Sequence, residues 1–155
     1  MTGSGKGAVV RATLLATLVA GTLDIGAAIL TNPQVPAQVV LQSVASGWLG
    51  SAAYRGGSPT AWLGLASHYA ITLGIAAIYM VAAARTPALR RGWIGAGVVF
   101  GAAVWLVMSF VVVPLSASTL KPPADLNAAL KPLAVHVLAV GLPIAWIARR
   151  RLGRA

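Results

Sequence analysis

The stretch GLASHYAITLGIAAIY, Gly64 to Tyr79, is an apolar run with a single histidine in it. Extended on both sides it runs from about Thr60 to Ala84 with no ionisable group except His68 and Tyr79 and the neighbouring Tyr69. That exceeds the roughly 20 apolar residues an α-helix needs to cross a bilayer. In lipid a helix is the single-segment conformation that satisfies its own backbone groups. His68 shares one face with Gly64, Thr72, Ala76 and Tyr79 at helical spacing. Arg55-Gly56-Gly57 reads as a turn before the run, and Ser58-Pro59 as N-cap and first helical position.

Three further runs flank this one. Residues 12–30 are apolar except for threonines and Asp24; small and polar residues recur at Thr13, Thr17, Gly21, Asp24 and Ala28, a seam suited to facing other helices. Lys6 and Arg11 resemble the n-region of a signal peptide, but this run outlasts the 7–15 residues of an h-region. Residues 93–113 form the third run, carrying Gly97-x-x-x-Gly101, a pattern for close helix packing, and ending at Pro114. Asp125 is a candidate N-cap for a short helix at Leu126 to Leu130. Lys131-Pro132 kinks or restarts the chain, and residues 130–148 form the fourth run. Pro143 inside it frees the carbonyl of Ala139, on the face of His136.

Between the first two runs, Asn32-Pro33 and Pro36 break the helix. Residues 38–50 regain helical periodicity, with Gln38, Gln42 and Ser46 on one face. Such a segment is too short to span, so an interfacial or re-entrant helix is expected. The fold class predicted is all-α: one membrane domain over residues 1–155, a four-transmembrane-helix bundle with this short extra helix between helices one and two.

Composition agrees. Of 155 residues 58% are hydrophobic and 9% charged, against about 25% charged in soluble domains. The absence of cysteine excludes thiol catalysis, disulfides and thiolate metal sites. The net charge of +10 does not point to nucleic acid, because the basic residues sit at the ends of apolar runs and not among stacking aromatics. There they act as topology signals and as contacts for the anionic headgroups of a bilayer. Lys6, Arg11, Arg85, Arg90, Arg91, Arg149, Arg150, Arg151 and Arg154 fall on one side; Arg55, Lys121 and Lys131 fall on the other. The positive-inside rule then predicts a multi-pass protein with cytoplasmic N- and C-termini, which an even number of spans satisfies. Trp62, Trp93 and Trp146 fall near span ends, as an aromatic belt requires, whereas Trp105 is expected to pack inside the bundle.

Asp24, His68 and His136 are the only acid and histidines within the four runs. At ~1.5 Å per residue they lie about 9–10, 12 and 8–12 Å below the non-basic ends of their helices. Ser109 of the third run reaches a similar level. An aspartate at the centre of a span costs about 2.5–3.5 kcal/mol, so such residues are default candidates for function. The layer is also explicable as interhelical glue, with Thr72 and Ser109 as partners. Three functional options stand beside that: proton or ion handling, haem held between His68 and His136, and a metal site using His68, His136 and Asp24. The haem option lacks a propionate-binding arginine other than Arg55, and the metal option lacks a further ligand. No nucleophile elbow or phosphate loop is present, so an enzyme is not the expectation.

The segments Ser67–Ala84 (SHYAITLGIAAIYMVAAA), Met108–Ala117 (MSFVVVPLSA) and His136–Arg154 resemble the YagU-type family of small bacterial inner-membrane proteins, which is linked to survival in acid. The resemblance implies that His68 and His136 occupy family positions. It implies a bacterial inner-membrane, stress-response setting. It carries no catalytic residues, and Asp24 and the 31–59 connection lie outside it. The functional expectation is proton or small-solute handling or sensing by the Asp24/His68/His136 layer. The alternatives are a structural or assembly subunit with a homo-oligomeric or membrane-protein partner, and a bis-histidine haem electron carrier.

Overall fold

The computed structural model describes residues 3–153, so Arg154, counted above among the topology signals, lies outside the described residues. No strand occurs among them. Four helices are long and apolar enough to cross a membrane: Gly5–Leu30, Gly57–Arg85, Trp93–Leu115 and Leu126–Leu152. The chain is a four-span membrane protein of the all-α class.

The first span belongs to α1 (Gly3–Leu30). The Asn32 amide closes it by donating to the Ala28 carbonyl at 2.7 Å, before Pro33 prevents continuation. Next comes α2 (Ala37–Leu49), whose C-cap Gly50 has φ 56°, followed by a 3-10 turn at Gly50–Arg55. The second span is α3 (Gly57–Arg85). It starts at Gly57, with φ 61°, and not at a Ser58 cap. The chain reverses on a left-handed glycine, which leaves Ser58 and Pro59 inside the first turn, where proline is tolerated. Thr86 is extended ahead of Pro87 and ends α3. The Arg90 guanidinium then reaches back to the Ala83 and Ala84 carbonyls, satisfying acceptors that the helix end leaves open. Arg90 and Arg91 sit on a one-turn helix, α4 (Pro87–Arg91).

The third span is α5 (Trp93–Val107), a π-helical turn at Met108–Val112, and α6 (Val113–Leu115). The fourth is α7 (Leu126–Val135), a π-helical turn at His136–Gly141, and α8 (Leu142–Leu152). Asp125 caps α7 by accepting from the Ala128 amide at 2.8 Å. Lys131-Pro132 does not interrupt this helix, which runs through Pro132. A bundle tolerates the single lost backbone bond where neighbours accommodate it. Each π turn stands two residues before a proline, Pro114 or Pro143. A proline ring displaces the carbonyl four residues back, and a widened turn absorbs the displacement without breaking the helix.

The spans close tightly at one end only. Ala12, Ala16 and Ala20 of α1 pack with Ala76, Met80 and Ala83 of α3 and with Ile144, Ala145 and Ala148 of α8. The third span joins through glycines. Gly97 and Gly101 of α5 lie directly on Gly141, where a Cβ would collide with the Gly97 carbonyl and the Gly101 backbone. The Gly-x-x-x-Gly pair is thus consumed in packing within one chain. Trp105, one turn further, is buried beside Phe110, edge to face at 5.7 Å.

Toward the other end this packing stops. Beyond Gly21 in the first span, Trp105 in the third and Ala139 in the fourth, no residue of these spans is buried. Only α3 remains covered there, because α2 lies on it. Leu41 backs onto Gly64, and Gln42 donates to the Gly57 carbonyl at 3.0 Å. The bundle is closed at its arginine-rich end and open at the opposite one. Lys131 bridges the open end by donating to the Thr31 carbonyl and to Asn32 Oδ1, both at 2.9 Å.

Candidate functional site

His68 sits where the closed half gives way to the open half. It is buried, and its Nε2 lies 2.9 Å from the carbonyl oxygen of Gly21 on α1. A carbonyl only accepts, so Nε2 carries the proton in this contact. Gly21 is what allows the approach: a Cβ there would fall 2.8 Å from the Tyr69 ring and 3.7 Å from His68 Nε2. Beside it, the Tyr69 hydroxyl and Thr22 Oγ1 are 2.8 Å apart, a second bond between the same two helices. Thr72 does not face a ligand position; its hydroxyl donates to the His68 carbonyl of its own helix at 2.8 Å. His68, Tyr69 and Thr22 therefore stitch α3 to α1.

Asp24 differs. On a helical wheel it falls within the arc of α1 that contains Thr13, Thr17, Ala20 and Gly21, all of them buried. Its Cα therefore lies on the face of α1 that packs in the closed half. Its position is past the last buried turn of α1, so the carboxyl is half-buried and makes no hydrogen bond among the described residues. A carboxylate in an apolar span is normally paired or hydrogen-bonded, and this one is left open by the splay of the helices.

His136 begins the π turn of the fourth span and is half-buried. Its Nδ1 donates to the Pro132 carbonyl at 2.9 Å, one turn back in the same helix. The carbonyl of His136 is packed against Gly101, so the backbone is fixed at the third-to-fourth span contact. With Nδ1 so engaged, Nε2 is the ring nitrogen open to a proton or ligand. Ser109 lies on the π turn of the third span, half-buried, with no hydrogen bond to any of the three.

Asp24, His68 and His136 thus lie on three helices near one boundary but do not form one coordination site. No group of three His, Cys, Asp or Glu side chains that could hold a metal ion occurs among the described residues. The two imidazoles are each turned onto backbone carbonyls of different helices, a geometry that gives the haem alternative no support.

Three contacts and one unpaired donor here have no signature in the sequence. The partner of His68 is a backbone oxygen. Gly141 is an isolated glycine. Lys131 acts at a helix end about a hundred residues away in the chain. The Trp105 indole Nε1 is buried without an acceptor among the described residues. Only the first could have been approached from residue types, since Gly21 is the one glycine in the small-residue seam of the first span.

Fold and site together define a polytopic membrane protein with a half-open four-span bundle. No family model, no curated protein and no solved structure matches the chain.

Proposed function

We propose that the protein handles or senses protons, or a small cation, at Asp24, with His136 as second titratable group, both reached from the open half of the bundle. The observation that carries this is Asp24 itself, half-buried on the arc of α1 that holds Thr17, Ala20 and Gly21, in an apolar helix and with no hydrogen bond among the described residues. His68 contributes by holding α1 against α3, which fixes the position of Asp24 one turn beyond Gly21.

The distribution of arginines supports an orientation in which the closed end is cytoplasmic and the open end faces outward. The proposed setting is a bacterial inner membrane, with α2 at its outward-facing surface beside the mouth of the bundle. The resemblance to the YagU-type family fits an acid-stress setting, in which a carboxyl open to the outside would respond to external pH.

The test is purified protein in vesicles enclosing a pH-sensitive dye. An imposed pH step should produce a response in the wild type that is lost in Asp24→Asn. If Asp24→Asn responds like wild type, the proposal fails.

A second function is favoured by a separate observation. Phe110, Leu115, Leu126 and Leu138 are exposed along the splayed halves of the third and fourth spans. That surface suits a helix of another membrane protein as well as lipid, as expected of an assembly subunit. Cross-linking from a photoreactive residue at Leu138 in native membranes would then give one reproducible partner band.

A further inference from the structure

At the closed end, between α4 and the end of α8, lies a cleft of about 590 Å³ lined by Pro87, Arg90, Arg91, Arg149 and Gly153. Arg149 and Gly153 also border a smaller neighbouring cleft of about 290 Å³, completed by Trp146 and Arg150. Three of the four guanidinium groups around these clefts are held in place, and Arg91 is exposed at the rim. Arg90 is tied to the carbonyl end of α3. Arg149 lies over the Trp93 ring at 5.8 Å, and Arg150 over Trp146 at 5.4 Å. Such contacts fix a planar group that presents several donors, which lowers the ordering cost of binding an anion.

These charges have no acidic side chain to pair with. The only two in the sequence, Asp24 and Asp125, both lie toward the opposite end of the bundle. Arginine forks match the paired oxygens of a phosphate, and several converging on one cleft favour a phosphate group over a carboxylate. The surroundings identify the kind of phosphate. Trp93 and Trp146 mark the level of a membrane interface, and Ile94, Val98 and Trp146 on the adjoining turns are exposed. A ligand that carries both a phosphate and apolar chains meets the two surfaces together.

We propose that this arginine cleft binds the phosphate headgroup of an anionic phospholipid, with the acyl chains running along the third and fourth spans. The site stands independently of Asp24, at the other end of the molecule. It goes beyond a general attraction between basic loops and lipid, because it assigns the binding to Arg91 and Arg149 and not to Arg11 and Arg85.

The experiment is thermal melting of the purified chain in neutral detergent, with added phosphatidylglycerol, phosphatidylcholine or inorganic phosphate at matched phosphate concentration. Phosphatidylglycerol should raise the melting temperature, and the other two should not. In Arg91→Gln/Arg149→Gln the lipid concentration for half of the shift should rise about twenty-fivefold, fivefold for each charge removed from the headgroup. Arg11→Gln/Arg85→Gln, which loses the same charge elsewhere, should stay within about threefold of wild type. Equal weakening in both double variants would overturn the site in favour of diffuse attraction. An equal rise with inorganic phosphate would overturn the lipid assignment in favour of a soluble anion. If Arg91→Gln/Arg149→Gln does not fold, Arg91→Lys/Arg149→Lys decides: it keeps the charge and loses the fork, so a weakened lipid response supports the site and a wild-type response overturns it.

Discussion

Gly141→Ala tests the contact that holds the third span to the rest of the bundle. The added methyl meets the Gly97 carbonyl, and the Cα and N of Gly101 at 2.7 Å. All of these are backbone atoms, so no side-chain rotation relieves the collision and the two helices must separate. Overpacking of this kind costs about 1–3 kcal/mol, and its upper end applies where backbone meets backbone. Alanine returns about 1 kcal/mol through helix propensity. The net loss is therefore about 2 kcal/mol, which corresponds to a fall of about 4–8 °C for a chain of this size. The same substitution can be graded along one helix. At Gly101 the new methyl falls 2.7 Å from the His136 oxygen and the Val137 Cα, so a similar loss is expected. At Gly97 the nearest atoms are at 3.1 Å, and the loss should be smaller. At Gly95 nothing lies within 4 Å, and the melting temperature should hold or rise. Melting of the four variants in one detergent, followed by circular dichroism, gives the order directly. If Gly141→Ala and Gly95→Ala melt together, the glycine crossing described here is wrong.

Three other substitutions separate positioning from function. Asp24→Asn should leave the melting temperature unchanged or raise it, because it removes an unpaired carboxyl from an apolar span while abolishing the pH response; a large fall would mean that the carboxyl has a structural partner. His68→Ala should cost about 1–3 kcal/mol in the same melt, through loss of the Gly21 bond and the space left behind, with the pH response retained in the folded fraction. Lys131→Met removes the bridge from α7 to the carbonyl end of α1 and should cost about 0.5–1 kcal/mol; faster hydrogen exchange at the last turn of α1 would locate the effect.

Helix content and span number were legible because they depend on composition and local pattern. Apolar runs of sufficient length have one backbone solution in lipid, and Asp125 and Pro33 start or end helices through their own chemistry, whereas the third span runs through Pro114 to Leu115. The burial of Trp105 and of the Thr13/Thr17/Gly21 seam followed from residue size and helical spacing. Where local rules gave the wrong answer, a neighbour decided. Pro132 does not break the fourth span, and a left-handed Gly57 displaces the expected Ser58 cap.

For the candidate site, the sequence by itself determined which residues carry ionisable groups and that they fall near one depth, since depth is counted along each helix. It could not determine where those groups point across helices. The tertiary structure divided the layer: His68 is bound to a backbone oxygen of α1, His136 to a carbonyl of its own helix, and Asp24 is left open. That division arises from packing. Three glycines bring the third and fourth spans together at one end, two prolines with their widened turns lie further along those spans, and Asp24, past the last buried turn of α1, makes no hydrogen bond among the described residues. Contacts of this kind join residues remote in the chain through backbone atoms common to every residue type, so no pattern of residue types encodes them.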